Sequence, residues 1–433
     1  AEAWSRVAEK TGANFDLPVG IHRLHSGSPN AAIIPLLRAA RRTHEEGRFA
    51  LALNAATLGM EAADRAGGIS ARAEARLRKA DALTSKGAID DAVRVIHEAH
   101  RIGHLDRRTE AMLWVSLARA ETARGRLERA KQLLDSAEAT FEATRDREGL
   151  IETAASIARV YREQGQPEEA ARRFAKMLRL NRNDRRSEVQ ALHGLVDARA
   201  ASGRIEGIEP LVQKLRESAL ATGDTRRIAN ATFAAGLVRL TGRAFDDAER
   251  HFHTARALAV TVGDHKLQLD AENNLGETLR LKGNLREAER MYESVARLAE
   301  ERHWPISSAI AHLNLALISQ SREDASFARI NVDQAESHLQ DHPKHWAWMY
   351  VGIFRAVWAA EVGDENTCRA WWSVSNDRGL GRMVSIDLVE PLKRLAVASV
   401  RNGWNDLAQK AITVRESILQ SDPAAPQTDI HES

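Results

Sequence analysis

Glycine interrupts this sequence at Gly47, Gly87, Gly125, Gly165, Gly203, Gly242, Gly283, Gly363 and Gly403, at intervals of 38 to 41 residues apart from one double interval of 80. The double interval contains a glycine-free turn, Ser321-Arg322-Glu323-Asp324, which brings the number of units to ten. A fixed period of this length marks a structural repeat, in which each unit is one supersecondary element that buries its apolar face by stacking on its neighbours. Glycine suits these sites because a sharp reversal between two helices needs a residue that accepts positive φ.

Small residues keep step with the turns. Five residues after a turn stand Ala52, Ala92, Ala130, Ala170, Ala288, Ala328, Cys368 and Ala408, and seven before it stand Ala40, Ala80, Ala118, Ala158, Ala235, Gly276, Ala316, Ala356 and Ala396. Unit five departs, with Val196 and Ile208, and unit six reads as carrying one extra residue, which moves its alanine to Ala248. Small side chains at matched positions let the two helices of a unit approach closely while larger neighbours fill the grooves. Ala, Leu, Arg and Glu dominate, strong helix formers all, and no β-branched run alternates with period two. The expected fold class is all-α, a superhelical solenoid of about ten antiparallel helix pairs.

These positions resemble the tetratricopeptide repeat. The segment from Ala271-Glu272-Asn273-Asn274-Leu275-Gly276 through Gly283-Asn284-Leu285-Arg286-Glu287-Ala288 follows that pattern, Trp114, Leu117 and Ala118 match its Trp, Leu and small positions, and Tyr161 matches its first-helix aromatic. The resemblance covers residues 31–420 and implies a right-handed superhelical solenoid. The period is about 40 rather than 34, and the proline between repeats is mostly missing; in both respects the chain is similar to the longer repeats of large bacterial signalling regulators of the MalT-like kind. Residues 1–30 read as connector helices around Ala3–Glu9 and Leu17–His25, the second a truncated half-repeat broken by Gly27-Ser28-Pro29-Asn30, and 421–433 as a flexible tail.

The resemblance implies a concave surface lined by the first helix of each pair, a preformed groove for a protein or peptide. Its inward positions would be Arg41, Arg119, Arg159 and Arg162 in units one to four, and His193, Asp197, Asn273, Glu277 and Arg280 in units five and seven. In units eight to ten they would be Leu313, Leu317, Ile353, Val357 and Val397. The groove would pass from arginine-rich to mixed to apolar, and its basic part could hold a carboxylate-bearing ligand; the plainer reading pairs these arginines with acidic residues of adjacent units. Asn274 and Asn314 occupy a carboxylate-clamp position, but the Lys–Asn partner pair is missing, which argues against capture of a C-terminal peptide. Seven of nine tryptophans follow residue 300, among them Trp346, Trp348 and Trp358. With Leu317 and Val357 they suggest an aromatic and apolar partner surface, or self-association through units eight to ten. Trp346 and Trp348, two apart, could not share one face of a helix.

Little else speaks for chemistry. Lys plus Arg number 62 against 60 Asp plus Glu, too even for an obligatory nucleic-acid ligand. No apolar run approaches the roughly 18 residues of a membrane span. The lone Cys368 excludes an internal disulfide and fits a cytoplasmic setting, as a buried core residue rather than a nucleophile. His97, His100 and His104 have one-face helical spacing, yet Gly103 should end the helix first and no carboxylate or cysteine completes a metal set. Phosphate-binding loops and nucleophile elbows are missing too. No catalytic, cofactor or metal residue is expected. The resemblance implies an interaction or sensor module, the C-terminal repeat region of a larger bacterial signalling regulator, and the start at Ala1 without a Met suggests a cut from something longer. The alternatives are a stand-alone scaffold of a multiprotein assembly, or a peptide-pheromone receptor lacking its DNA-binding head.

Overall fold

The computed structural model describes residues 15–382 and 386–421, which among themselves form 21 α-helices, one short 3-10 turn and no strand. The expected helix at Ala3–Glu9 and positions 422–433 of the expected tail lie outside the described residues. The fold divides into two compact units at Ile157/Ala158.

In the first unit, α1 (Asp16–His25) precedes the pairs α2 (Pro29–Glu45) with α3 (Phe49–Ala66), α4 (Ile69–Ser85) with α5 (Ile89–His100), and α6 (Arg107–Ala123) with α7 (Leu127–Thr144). Helix α8 (Arg147–Glu163) begins here and runs on into the second unit. Close approach rests on small residues. Ala39, Ala40, Ala55 and Ala56 form one buried cluster between α2 and α3. A Cβ on Gly20 would fall 2.5 Å from Leu36 Cγ, so only glycine lets α1 lie against α2 there.

The second unit continues with α9 (Pro167–Leu180), α10 (Arg185–Ala201) with α11 (Glu209–Leu220), α12 (Thr225–Thr241) with α13 (Phe245–Thr261), and α14 (His265–Leu281) with α15 (Leu285–Glu301). Then follow α16 (Pro305–Ser321) with α17 (Ala325–Leu339), α18 (Trp348–Glu361) with α19 (Glu365–Asp377), and α20 (Val389–Arg401) with α21 (Asn405–Ser421). Two connections are longer than the rest: 340–347 before α18, and 378–388 before α20, which includes the 3-10 turn Ile386–Leu388.

Each of the ten pairs turns on a residue of positive φ, between 55° and 86°, at Gly47, Gly87, Gly125, Gly165, Gly203, Arg243, Gly283, Glu323, Gly363 and Gly403. After each, the next N–H closes a bond to the carbonyl five residues back, as from Asn284 to Leu279 at 2.8 Å and from Asp324 to Ser319 at 2.9 Å, the Schellman arrangement that ends a helix. This corrects the register of unit six. Gly242 has φ of −80°, and the left-handed residue is Arg243. Counted from Arg243, the small positions are Gly236 and Ala248, at the same offsets as elsewhere, and there is no extra residue. Packing sets the register: a Cβ on Gly236 would come within 2.7 Å of the Phe252 ring, as one on Gly276 would come within 2.8 Å of Tyr292.

The reversals between pairs are held by aspartates. The side chain of Asp106 accepts from the N–H of Thr109 at 2.9 Å, Asp146 from Gly149 at 3.0 Å, Asp184 from Ser187 at 3.1 Å, Asp224 from Arg226 at 2.9 Å and Asp264 from Leu267 at 3.1 Å. Each satisfies an orphan donor at the start of a first helix.

Candidate functional site

First helices carry most of the polar residues singled out from the sequence, and the structure shows how each is engaged. In the first unit, Arg41 on α2 bonds Glu45 at 2.9 Å and Glu148 on α8 at 2.7 Å. Arg108 reaches the same Glu148 at 2.9 Å and Asp146 at 2.7 Å. Arg119 on α6 donates to Glu152 and, at 3.2 Å, to Ser156, and stands 3.7 Å from Asp81. Burial alone would lower the guanidinium pKa, but the carboxylates of Glu152 and Asp81 more than compensate and raise it. These arginines are fixed between acidic neighbours on first helices. Arg41 retains about half of its side-chain surface, 49%.

In the second unit, Arg159 is exposed on α8, where its charge acts on Glu163 one turn on. Arg162 bonds Asp197 on α10 at 2.8 Å, and that negative charge is the main reason its pKa is raised. His193, one turn before Asp197, is held below the usual histidine range by burial, and its Nε2 is enclosed without a hydrogen-bond partner. Asn314 donates to Asn273 across α16 and α14 at 3.0 Å, while Asn274 turns back to the carbonyl of Asp270 at 2.8 Å.

Arg280, further along α14, donates to Asp387 in the 3-10 turn before α20, with both side chains nearly enclosed. Burial, aided by the charge of Asp387, pushes Glu277 up to about 7. Tyr350 on α18 and Tyr292 on α15 face the same charges, and burial raises both phenols.

The other long connection docks elsewhere. Its Trp346 N–H donates to the carbonyl of Glu163 at 3.1 Å. The N–H of Ala347 donates to Nδ1 of His345 at 3.1 Å, which leaves Nε2–H to face Glu163 Oε2 at 3.2 Å. A Cβ on Gly379 would stand 3.0 Å from the Gly165 carbonyl, so the second connection also passes backbone to backbone over the end of α8.

The aromatic and apolar set is placed differently. Leu317 and Val357 are buried in the cores of the last pairs rather than lying on a surface, as are Leu313 and Ile353, because first helices are flanked by helices on both sides. Val397 alone of the expected apolar inward positions is exposed, at 54%. Trp346 precedes the helix that Trp348 begins, so the one-helix argument for opposite faces does not apply, and both pack against one cluster with Leu339 and Phe354. Trp348 donates Nε1–H to the His342 carbonyl at 3.0 Å and stacks on Trp371. Trp358 lies under Arg329 and Arg355, 5.1 and 5.7 Å from its ring centre. Cys368 is buried, and its thiol is pushed up to about 11 by desolvation, the reverse of an activated nucleophile. Helix α5 ends at His100, leaving His104 beyond it.

Sequence reasoning missed Asp387, His345 and Glu163, because they sit outside the repeat positions or pair across distant parts of the chain. The unusual lengths of 340–347 and 378–388 were the available signal. Elsewhere, Leu178, Asn181, Asn183, Arg185, Glu188, Leu192, Leu211 and Lys214 border a shallow polar cleft of about 640 Å³ beside the α9–α10 turn, apart from the first-helix residues above.

Residues 109–183 and 227–301 match the family model of the tetratricopeptide repeat. These stretches span α6–α9 and α12–α15, on either side of the divergent fifth pair with its Val196 and Ile208. No curated protein matches the sequence. Among solved structures, the chain is similar to a Rap protein complexed with competence and sporulation factor, at 13% identity over 81% of this chain and 99% of that one, with a TM-score of 0.59. It is also similar to NprR in complex with its cognate peptide NprX, at 10% identity over 80% and 97%, with a TM-score of 0.54. The fold is that of a tetratricopeptide-like helical repeat. No helix among the described residues is long and apolar enough to cross a membrane.

Proposed function

We propose that this chain is a protein- or peptide-binding repeat module, with its ligand lying along the first helices of the second unit. The observation that carries the reading is the Arg280–Asp387 pair, in which a first-helix arginine holds an acidic side chain presented by a segment outside the repeats. That surface thus has the chemistry to receive an acidic, non-helical stretch of polypeptide, and Arg162 and Asn273 extend it along α8 and α14. NprR, of similar fold, was solved with a cognate peptide, which supports a peptide as ligand here. Within a larger bacterial signalling regulator the module would serve as the sensing part, with occupancy of the surface as the signal.

The test is selection from a random-peptide display library on the full chain, followed by anisotropy titration of a labelled selected peptide. Binding weakened about 10-fold or more by Arg162→Ala or Asn273→Ala is expected. A selected peptide indifferent to both substitutions, or a selection that enriches nothing, rejects this surface.

A further inference from the structure

We propose that Glu300, His312 and His338 form a binding site for one divalent transition-metal ion of the zinc class. The three side chains come from three consecutive helices of the second unit: Glu300 from the last turn of α15, His312 from the middle of α16, and His338 from the last turn of α17. Their ligand atoms all lie within 4.8 Å of one another. His312 Nε2 is 3.1 Å and His338 Nε2 is 3.6 Å from the same oxygen, Glu300 Oε1. Tetrahedral zinc with bonds of about 2.0–2.1 Å sets its ligand atoms about 3.3–3.4 Å apart. The two separations from Glu300 bracket that figure.

Hydrogen bonding fixes which ring nitrogen is free. Asn331 donates its amide N–H to the carbonyl of Phe327 at 2.9 Å, which orients its amide oxygen toward His312. That oxygen lies 2.9 Å from His312 Nδ1 and can only accept, so Nδ1 carries the proton. A neutral His312 then turns the lone pair of Nε2 toward a carboxylate oxygen, which is repulsive unless a cation lies between them. A second proton on His312 would satisfy that one contact. It would leave His338 Nε2 as it stands, buried and with no hydrogen-bond partner. A metal ion satisfies all three groups at once.

The remaining features fit an outer shell. Ser308 donates to Glu300 Oε1 at 3.4 Å, and Asn331 orients His312 in the way that ligating histidines are generally held. Two imidazoles and one carboxylate select zinc, cobalt or nickel over magnesium or calcium, and water would complete the coordination. Because the ligands come from three helices, the ion would fasten the seventh and eighth pairs together. No single-helix histidine spacing announces such a site, and so the sequence did not suggest a metal.

The test uses the full chain stripped by chelator and titrated calorimetrically with Zn²⁺, with Co²⁺ absorption as a report of coordination. One ion per chain is expected. The His312→Ala/His338→Ala double variant should weaken binding about 100-fold or more, and Asn331→Ala about 10-fold. Glu300→Gln, which conserves shape, and circular dichroism of every variant separate loss of ligation from loss of fold. Absence of stoichiometric binding, or binding that survives in the folded double variant, overturns the proposal and leaves the cluster as a protonated hydrogen-bond network.

Discussion

Glu163, the last residue of α8, faces the ring of His345 across 3.2 Å, although the two are separated in sequence by more than four repeats. Burial alone would raise the carboxyl pKa, but the His345 hydrogen bond and the charges of Arg162 and Arg159 outweigh it and hold it at about 2. A depressed folded-state value contributes stability that is present above the unfolded value of 4.5 and is lost as pH falls toward 2. Glu163→Gln should therefore cost roughly 1–3 kcal/mol at pH 7 and much less at pH 3. Urea denaturation of the two proteins at both pH values measures this, and an equal loss at the two would sink it.

Glu277 should behave in the opposite sense. Its folded-state value is raised from 4.5 to about 7, so the unfolded chain releases this proton first as pH rises. Stability is then full below 4.5 and declines as pH climbs through 7. Glu277→Gln removes the titration, and relative to wild type it should gain on the order of 1–2 kcal/mol between pH 5 and pH 8. Thermal melts of both proteins across that range decide the point.

Glu323 and Arg243 hold turn positions with φ of 61° and 55°, where most other units use glycine. A left-handed residue with a side chain is strained by about 1–2 kcal/mol, offset in part by the greater freedom of glycine when unfolded. Glu323→Gly and Arg243→Gly should each stabilise by about 0.5–1 kcal/mol, whereas Gly283→Ala should destabilise. Lower denaturation midpoints for the two glycine variants would contradict the assigned register.

Gly276 is required for a different reason, since its φ is ordinary and its neighbour is the buried ring of Tyr292. Adding one methyl group there should cost about 1–3 kcal/mol by overpacking. Gly276→Ala combined with Tyr292→Leu should recover part of that loss, and a double-mutant cycle measures the coupling.

Period, helix content and most turns were legible because each pair repeats the same local solution, and glycine marks it. The misreading at Gly242 shows the limit: the glycine was visible, but the left-handed residue beside it is chosen by where Gly236 meets Phe252. The capping aspartates Asp106, Asp146, Asp184, Asp224 and Asp264 form a second ladder that repeat logic could have found, since they recur with the same period. The pairings of Arg280 with Asp387 and Glu163 with His345 could not be read in this way. They depend on which distant surfaces the stacked helices bring together, and period carries no information about that. Similarly, family positions alone could not separate the buried Leu317 and Val357 from the exposed Val397.

Arrays of stacked helix pairs ordinarily behave like a row of dominoes, each one leaning only on the next, so that damage at one end stays local. The connections 340–347 and 378–388 change this in the second unit, because they tie late pairs to α8 and α14 over the heads of those between. Removing the last pair with its leading connection would withdraw Asp387 from Arg280 and uncover charge in the middle of the unit. The terminal pairs therefore act as a brace for residues far upstream. Melting should spread through the unit as one event instead of fraying brick by brick from the C-terminal end.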